Sequence, residues 1–170
     1  LCLNDNPATM LVLLSGVYGM NTNTHIALCD IQMFAHIPNL IYLAPTSKEE
    51  YQQMFKFATT QKEHPVAIRI PAVFTQSGIE DTTDYSIYNK NKVEIKGSKV
   101  AIFAVGVMLP MALETAKKVK EETGLEITVV NPKFLTGLDE ELLTQLKENH
   151  ELVITLEDGE LIGGYGQTIA

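Results

Sequence analysis

Residues 9–14 (TMLVLL) form an unbroken apolar run of strand length, and residues 40–44 (LIYLA) and 65–70 (PVAIRI) repeat it. Runs without polar alternation are the pattern of strands covered on both faces, as in a parallel sheet. Between the second and third runs, TSKEEYQQMFKFATT changes period. Ser47 followed three residues later by Glu50 predicts a capping box, after which Tyr51, Met54, Phe55 and Ala58 fall on one helical face. This part of the chain reads strand, loop, short helix, strand, helix, strand.

From Pro71 to Gly97 the pattern lapses. PAVFTQSGIEDTTDYSIYNKNKVEIKG is polar, rich in turn formers and without helical period, which marks a linker with one short strand near 92–95. Alternation of elements then resumes. KVAIFAV (99–105) predicts a strand, and MLPMALETAKKVKEETG predicts a helix with Met108, Ala112, Ala116 and Val119 on one stripe and Gly124 as its stop. LEITVVN is a second strand, LDEELLTQLKENH a helix with Asp139 as N-cap and Leu138 and Leu143 as a staple, and ELVITLED a third strand before the turn GGYG. The expected fold is α/β: two small parallel-sheet units, residues 1–74 and 98–170, joined by a linker at 75–97.

Composition narrows the function classes. The 170 residues are 45% hydrophobic, enough for a core, and no apolar run reaches the length of a membrane span. A net charge of −8 disfavours nucleic acid and anionic membrane as partners, since no basic stripe exists to displace counterions. Cys2 and Cys29 form no CxxC, so neither a disulfide framework nor a zinc site is expected, and a reducing cytoplasm is the expected compartment. The start LCLNDNPATM lacks an initiator Met and a charged leader, and GGYGQTIA stops as a helix opens, so the sequence reads as a fragment of a larger protein.

In α/β sheets ligands bind beyond the carboxyl ends of the strands. Three stretches lie there: 15–25, with Ser15, Asn21, Thr24 and His25; 131–137; and 157–166, with Glu157, Asp158, Gly163, Gly164 and Gly166. Taken alone, His25 reads as a loop histidine satisfying a hydrogen bond. GGYG reads as a tight turn into a helix, with anion binding at that helix N-terminus as the sharper alternative. Glu157 and Asp158 would point to opposite faces of a strand and make a poor acid–base pair. His36, His64 and His150 read as packing or boundary residues, and His25 with Cys29 lacks the further ligands a metal needs.

THIALCDIQMFAHIPNLIYLAPTSKEEYQQMFKFA, then HPVAIRIP, then NPKFLTGLDEELLTQLKENHELVITLEDGELIGGYG together resemble, in one register over nearly the whole chain, the 1-deoxy-D-xylulose-5-phosphate synthase family of thiamine-diphosphate-dependent, transketolase-like enzymes. The resemblance implies that residues 1–74 are the later part of a pyrimidine-binding domain and residues 98–170 a C-terminal domain lacking its last helix or two. It implies thiamine diphosphate and Mg²⁺ in the full-length protein, neither bound by this fragment alone, with small-molecule substrates (pyruvate and an aldehyde acceptor) and a homodimer. In this family the loop carries Thr-His-His-Gly, and its first His faces the cleft where cofactor and donor meet. Thr24 and His25 match, so His25 is the expected catalytic residue, hydrogen bonding or passing a proton to a substrate oxygen, while Asn21 and Thr24 are expected to bind substrate. The carbanion chemistry belongs to the cofactor.

The sequence also departs from the family. Ile26 and Ala27 replace the second His and the Gly. Leu14 and Ala72 stand where the family carries the two arginines that hold the substrate phosphate, Asn21 replaces an acidic residue, and Arg69 is one strand step early and should face the other way. These changes keep two alternatives open: a catalytically silent subunit-contact or regulatory module of the same fold, and the β-type subunit of a 2-oxoacid dehydrogenase.

Overall fold

The apolar runs do become strands, and their order explains how deeply each is buried. The computed structural model describes residues 1–17, 24–78 and 80–170. In the first unit β1 (Thr9–Leu13), β2 (Ile41–Leu43) and β3 (Val66–Ile70) form a parallel sheet in the order β1-β3-β2. The second unit contains β4 (Lys92–Ile95), β5 (Lys99–Ala104), β6 (Thr128–Asn131) and β7 (His150–Leu156), in the order β4-β6-β5-β7. Its sheet is parallel except for β4, which runs antiparallel to β6.

Position within each sheet decides cover. The central β3 and the inner strands β5 and β6 are buried on both faces over most of their length. β1 is not, against the expectation from its sequence: Met10, Leu11 and Leu13 are 38%, 39% and 61% exposed. It is an outer strand, and no strand of the described residues pairs with its free edge. At the outer strand β7, Leu152, Val153 and Ile154 are exposed for the same reason.

Among the described residues, four α-helices lie between strands, α1 (Asp30–Phe34), α2 (Lys48–Thr60), α3 (Leu109–Thr123) and α4 (Glu140–Asn149), and α5 (Tyr165–Ile169) follows β7. Ser47 caps α2 by accepting from the Glu50 amide at 3.2 Å, but the reciprocal half of the box is missing. The Glu50 carboxylate instead accepts from the Thr46 amide and hydroxyl. In α3 the inward stripe is Leu109, Ala112 and Ala116, and Gly124 ends the helix at φ +75°, a conformation open to glycine at little cost. Asp139 caps α4 by accepting from the Leu142 amide at 3.2 Å.

The two units share one core. Ile31, Leu40, Tyr42, Ala44 and Ala67 of the first pack with Phe103, Val105, Val130, Leu135 and Tyr165 of the second. Backbone pairing reinforces the join: the Ala44 amide donates to Lys133 O and the Leu135 amide to Tyr42 O, so residues 133–135 cover the outer edge of β2. Tyr85, from the segment between the units, stacks against Phe57 on one side and Phe134 on the other. No helix among the described residues is long and apolar enough to cross a membrane.

Candidate functional site

The carboxyl ends of β1, β3 and β7 are joined by side-chain contacts, and the loop carrying His25 rises there. Its two feet are pinned to one another. The Ala27 amide donates to Leu14 O at 3.1 Å, the Gly16 amide to Ala27 O at 3.0 Å, and the Ser15 amide to Ile70 O at 2.9 Å. To make these bonds the chain turns sharply as it leaves β1, with positive φ at Leu14 (59°) and Gly16 (79°). For leucine that conformation costs on the order of 1–3 kcal/mol, strain of a kind that concentrates at functional sites.

Two residues before the pin, His25 is exposed, and its Nδ1 lies 2.9 Å from the Thr24 hydroxyl. The expected pair of Thr24 and His25 is therefore brought together and presented to solvent. Asn21 lies outside the described residues. Leu14 and Ala72, where the resemblance places arginines, are both half-buried at the ends of their strands.

Arg69 is turned away from solvent, only 3% exposed, and committed elsewhere. Its Nε donates to Asp30 Oδ2 at 2.7 Å, one terminal nitrogen to Asp158 Oδ1 at 2.6 Å, and the other to Asp30 Oδ1 at 3.4 Å and Asp158 O at 3.2 Å. Tyr42 donates its hydroxyl to Asp30 Oδ2 at 2.5 Å. Burial works against the Arg69 charge, but the two carboxylates more than offset it and hold its pKa above the ordinary arginine value. Burial, with Asp30 beside it, likewise pushes the Tyr42 hydroxyl up, so it remains a donor.

A second buried cation lies on the other side of the join. Lys133 is fully buried, 3.0 Å from Glu50 and 2.7 Å from Asp81, and also donates to the Thr83 hydroxyl at 2.6 Å. Asn131 donates to Glu50 at 2.9 Å. Burial would raise the Asp81 pKa, but hydrogen bonds from Lys133, Thr83 and Tyr85 outweigh it and hold the carboxyl below its usual range.

The glycine cluster already holds an anion of its own. Both oxygens of Glu157 accept backbone amides at the start of α5, from Tyr165 at 2.8 Å and Gly166 at 2.9 Å. Glu157 thus faces α5 while Asp158 faces Arg69, the divergence expected of neighbouring residues at a strand end. The other histidines make structural contacts: His36 with Gly163 O at 3.3 Å, His64 with Asp5 at 2.8 Å, and His150 between Thr128 and Leu146 O. No group of three or more His, Cys, Asp or Glu side chains suited to a metal ion occurs among the described residues.

The sequence reading missed Asp30 and Lys133 and left Arg69 without partners. A signal was present: each cation interrupts an apolar stretch (VAIRI and VVNPKFL), where a charge persists only if paired.

Comparison with known proteins supplies the family. Residues 2–73 match the transketolase pyrimidine binding domain and residues 89–170 the transketolase C-terminal domain. The 1-deoxy-D-xylulose-5-phosphate synthases of Alkaliphilus oremlandii and Natranaerobius thermophilus are 34% and 35% identical to this chain over 171 and 170 residues. Those alignments cover 99% of this chain but only 27% and 26% of the two enzymes, so the chain spans about a quarter of their length. Among solved structures, a split-gene transketolase described as an inactive β4 tetramer superposes with a TM-score of 0.78 at 27% identity, over 96% of this chain and 50% of that one. A transketolase from Pichia stipitis, solved with xylulose 5-phosphate, has the same fold, with a TM-score of 0.74 at 18% identity over 95% of this chain and 25% of its own. With both domain types present in one register, the chain belongs to the transketolase family and corresponds to a C-terminal region of a 1-deoxy-D-xylulose-5-phosphate synthase-like protein.

Proposed function

We propose that the protein to which these domains belong is a thiamine-diphosphate-dependent transferase that joins to an aldehyde the two-carbon unit left when pyruvate loses CO2, with His25 acting at the reacting oxygens. The observation that carries this reading is the placement of His25: an exposed imidazole, set beside the Thr24 hydroxyl, on a loop pinned at the carboxyl ends of the strands. There it is suited to donate a hydrogen bond or a proton to a substrate carbonyl, and Thr24 orients its ring. Asn21, four positions before His25 in the sequence, is assigned to substrate contact. When bound, thiamine diphosphate supplies the stabilised carbanion. The described residues do not make the oxygen cluster that Mg²⁺ and a diphosphate require, and that half of the site is assigned to sequence beyond these 170 residues.

Assembly follows the same logic. Val17 and Met33, on either side of the His25 loop, and Leu161 and Ile162, within the 157–166 segment joined to Gln32, are exposed apolar side chains suited to a second polypeptide surface. A homodimer closing the cleft through these side chains is the proposed form. One observation favours the silent-module alternative: Leu14 and Ala72 stand where the family pattern carries arginines. It predicts that the full-length protein lacks turnover altogether.

The acceptor is proposed to be an aldehyde without strong phosphate recognition. Leu14 and Ala72 offer no charge, and Arg69 is neutralised by Asp30 and Asp158. The test is kcat/KM of the full-length protein for glyceraldehyde 3-phosphate against glyceraldehyde. We expect a preference for the phosphorylated acceptor below about tenfold. Leu14→Arg with Ala72→Arg should raise it by about a hundredfold or more, since each charge-assisted contact is worth roughly 1.5–3 kcal/mol. Because Leu14 already holds its positive φ with a side chain, arginine adds no new backbone strain there. A natural preference of several orders of magnitude for the phosphorylated acceptor contradicts the assignment.

A further inference from the structure

We infer that Arg69 is a positioning residue: with Asp30 and Asp158 it clamps both feet of the His25 loop and ties that loop to the second domain. The inference rests on the proposed role of His25 only for its kinetic consequence; the clamp itself stands on geometry.

The loop leaves β1 through Gly16 and returns at Ala27 into α1, whose first residue is Asp30. The cluster grips each end. At the returning end, Asp30 is 3% exposed and accepts three hydrogen bonds, two from the Arg69 fork and one from Tyr42. At the departing end, Asp158 reaches across from the loop after β7 and its carboxylate packs against Gly16, where an added Cβ would collide with it. Asp158 Oδ1 is held by Arg69, while Oδ2 is buried and has no hydrogen-bond partner among the described residues. Among the described residues, Arg69 is therefore the side chain whose hydrogen bond keeps that carboxylate against Gly16.

The cation stands between the two grips on the central strand of the first sheet. A planar fork satisfies two carboxylates from different directions at once, which an ammonium does less well. Loss of Arg69 leaves two buried carboxylates facing each other without a counter-charge, a strongly unfavourable state that is relieved by moving one of them. Asp30 is part of the returning foot and Asp158 packs against the departing one, so movement of either loosens a foot. The prediction is thus local loosening at 14–17 and 26–30, with the sheets intact.

The test is hydrogen–deuterium exchange of the full-length protein, comparing Arg69→Met with the natural residue and reading peptides over 14–17 and 26–30 against 101–104 and 128–131. The expected result is exchange about tenfold faster or more in the loop-foot peptides, with the strand peptides unchanged. In the same variant kcat falls by about tenfold or more, while KM for pyruvate shifts less than threefold, and Arg69→Lys recovers part of both losses. Unchanged exchange at the feet overturns the clamp, and so does a uniform rise across feet and strands, which marks a merely structural residue. If Arg69→Met does not fold, Asp158→Asn decides. It preserves shape and one acceptor, and should speed exchange at 14–17 by roughly threefold or more; no change there overturns the inference. The two readings fail separately: loosened feet with full turnover in His25→Ala keep the clamp and remove the catalytic role of His25.

Discussion

A single charged side chain inside an apolar run organises each side of the join between the domains. Lys133 has no exposed surface and answers two carboxylates, Glu50 from the first domain and Asp81 from the connecting segment. Replacing it with methionine keeps the apolar stem and deletes the charge, leaving both carboxylates hydrogen-bonded but without a counter-charge. Lys133→Met should therefore lower stability by about 3–5 kcal/mol, read as a reduced urea midpoint at unchanged slope. A loss below about 1 kcal/mol would mean that water already reaches the cluster. That cations at 69 and 133 must be paired was legible in the sequence. Their partners were not: Asp158 and Glu50 meet them only where the two domains dock, and Asp30 and Asp81 lie 39 and 52 positions away, distances that no local pattern encodes. Glu50 shows the conflict directly: its spacing from Ser47 spelled a capping box, yet its carboxylate turns to Thr46, Asn131 and Lys133 instead.

At the scale of elements, periodicity located the strands and helices well, since a strand or helix records its own covered face. What it did not record was sheet order. TMLVLL has the composition of an inner strand, but β1 lies at an edge of the described sheet, and Leu13 is more than half exposed. The N-cap of α2 is a purely local feature and gives a local prediction. Ser47→Ala removes the acceptor for the Glu50 amide and should cost about 1 kcal/mol, measured by thermal or urea unfolding. A neutral result would show that Glu50, anchored through its carboxylate, holds the first turn without the cap. The glycine turn before α5 likewise proved to be satisfied from within, by Glu157.

For the whole molecule, the decisive fact is that two domains with separate sheets share one core and two buried ion clusters, so that the loop of one is braced by a carboxylate of the other. The α/β architecture was readable from alternating elements, and His25 became a candidate through the Thr24–His25 match in a multi-part resemblance. The bracing of its loop was not readable, because Asp158 is 142 positions further along the chain than Gly16. We propose that this braced loop exists to present His25 to a reacting substrate. This is tested most directly by kcat of the full-length protein, loaded with thiamine diphosphate and Mg²⁺ and supplied with pyruvate and glyceraldehyde, for the natural chain against His25→Ala. In that case kcat falls by about a hundredfold or more, typical for removal of a general acid or base, with the thermal midpoint unchanged because His25 is an exposed loop residue. A His25→Ala protein that turns over at the natural rate would contradict it.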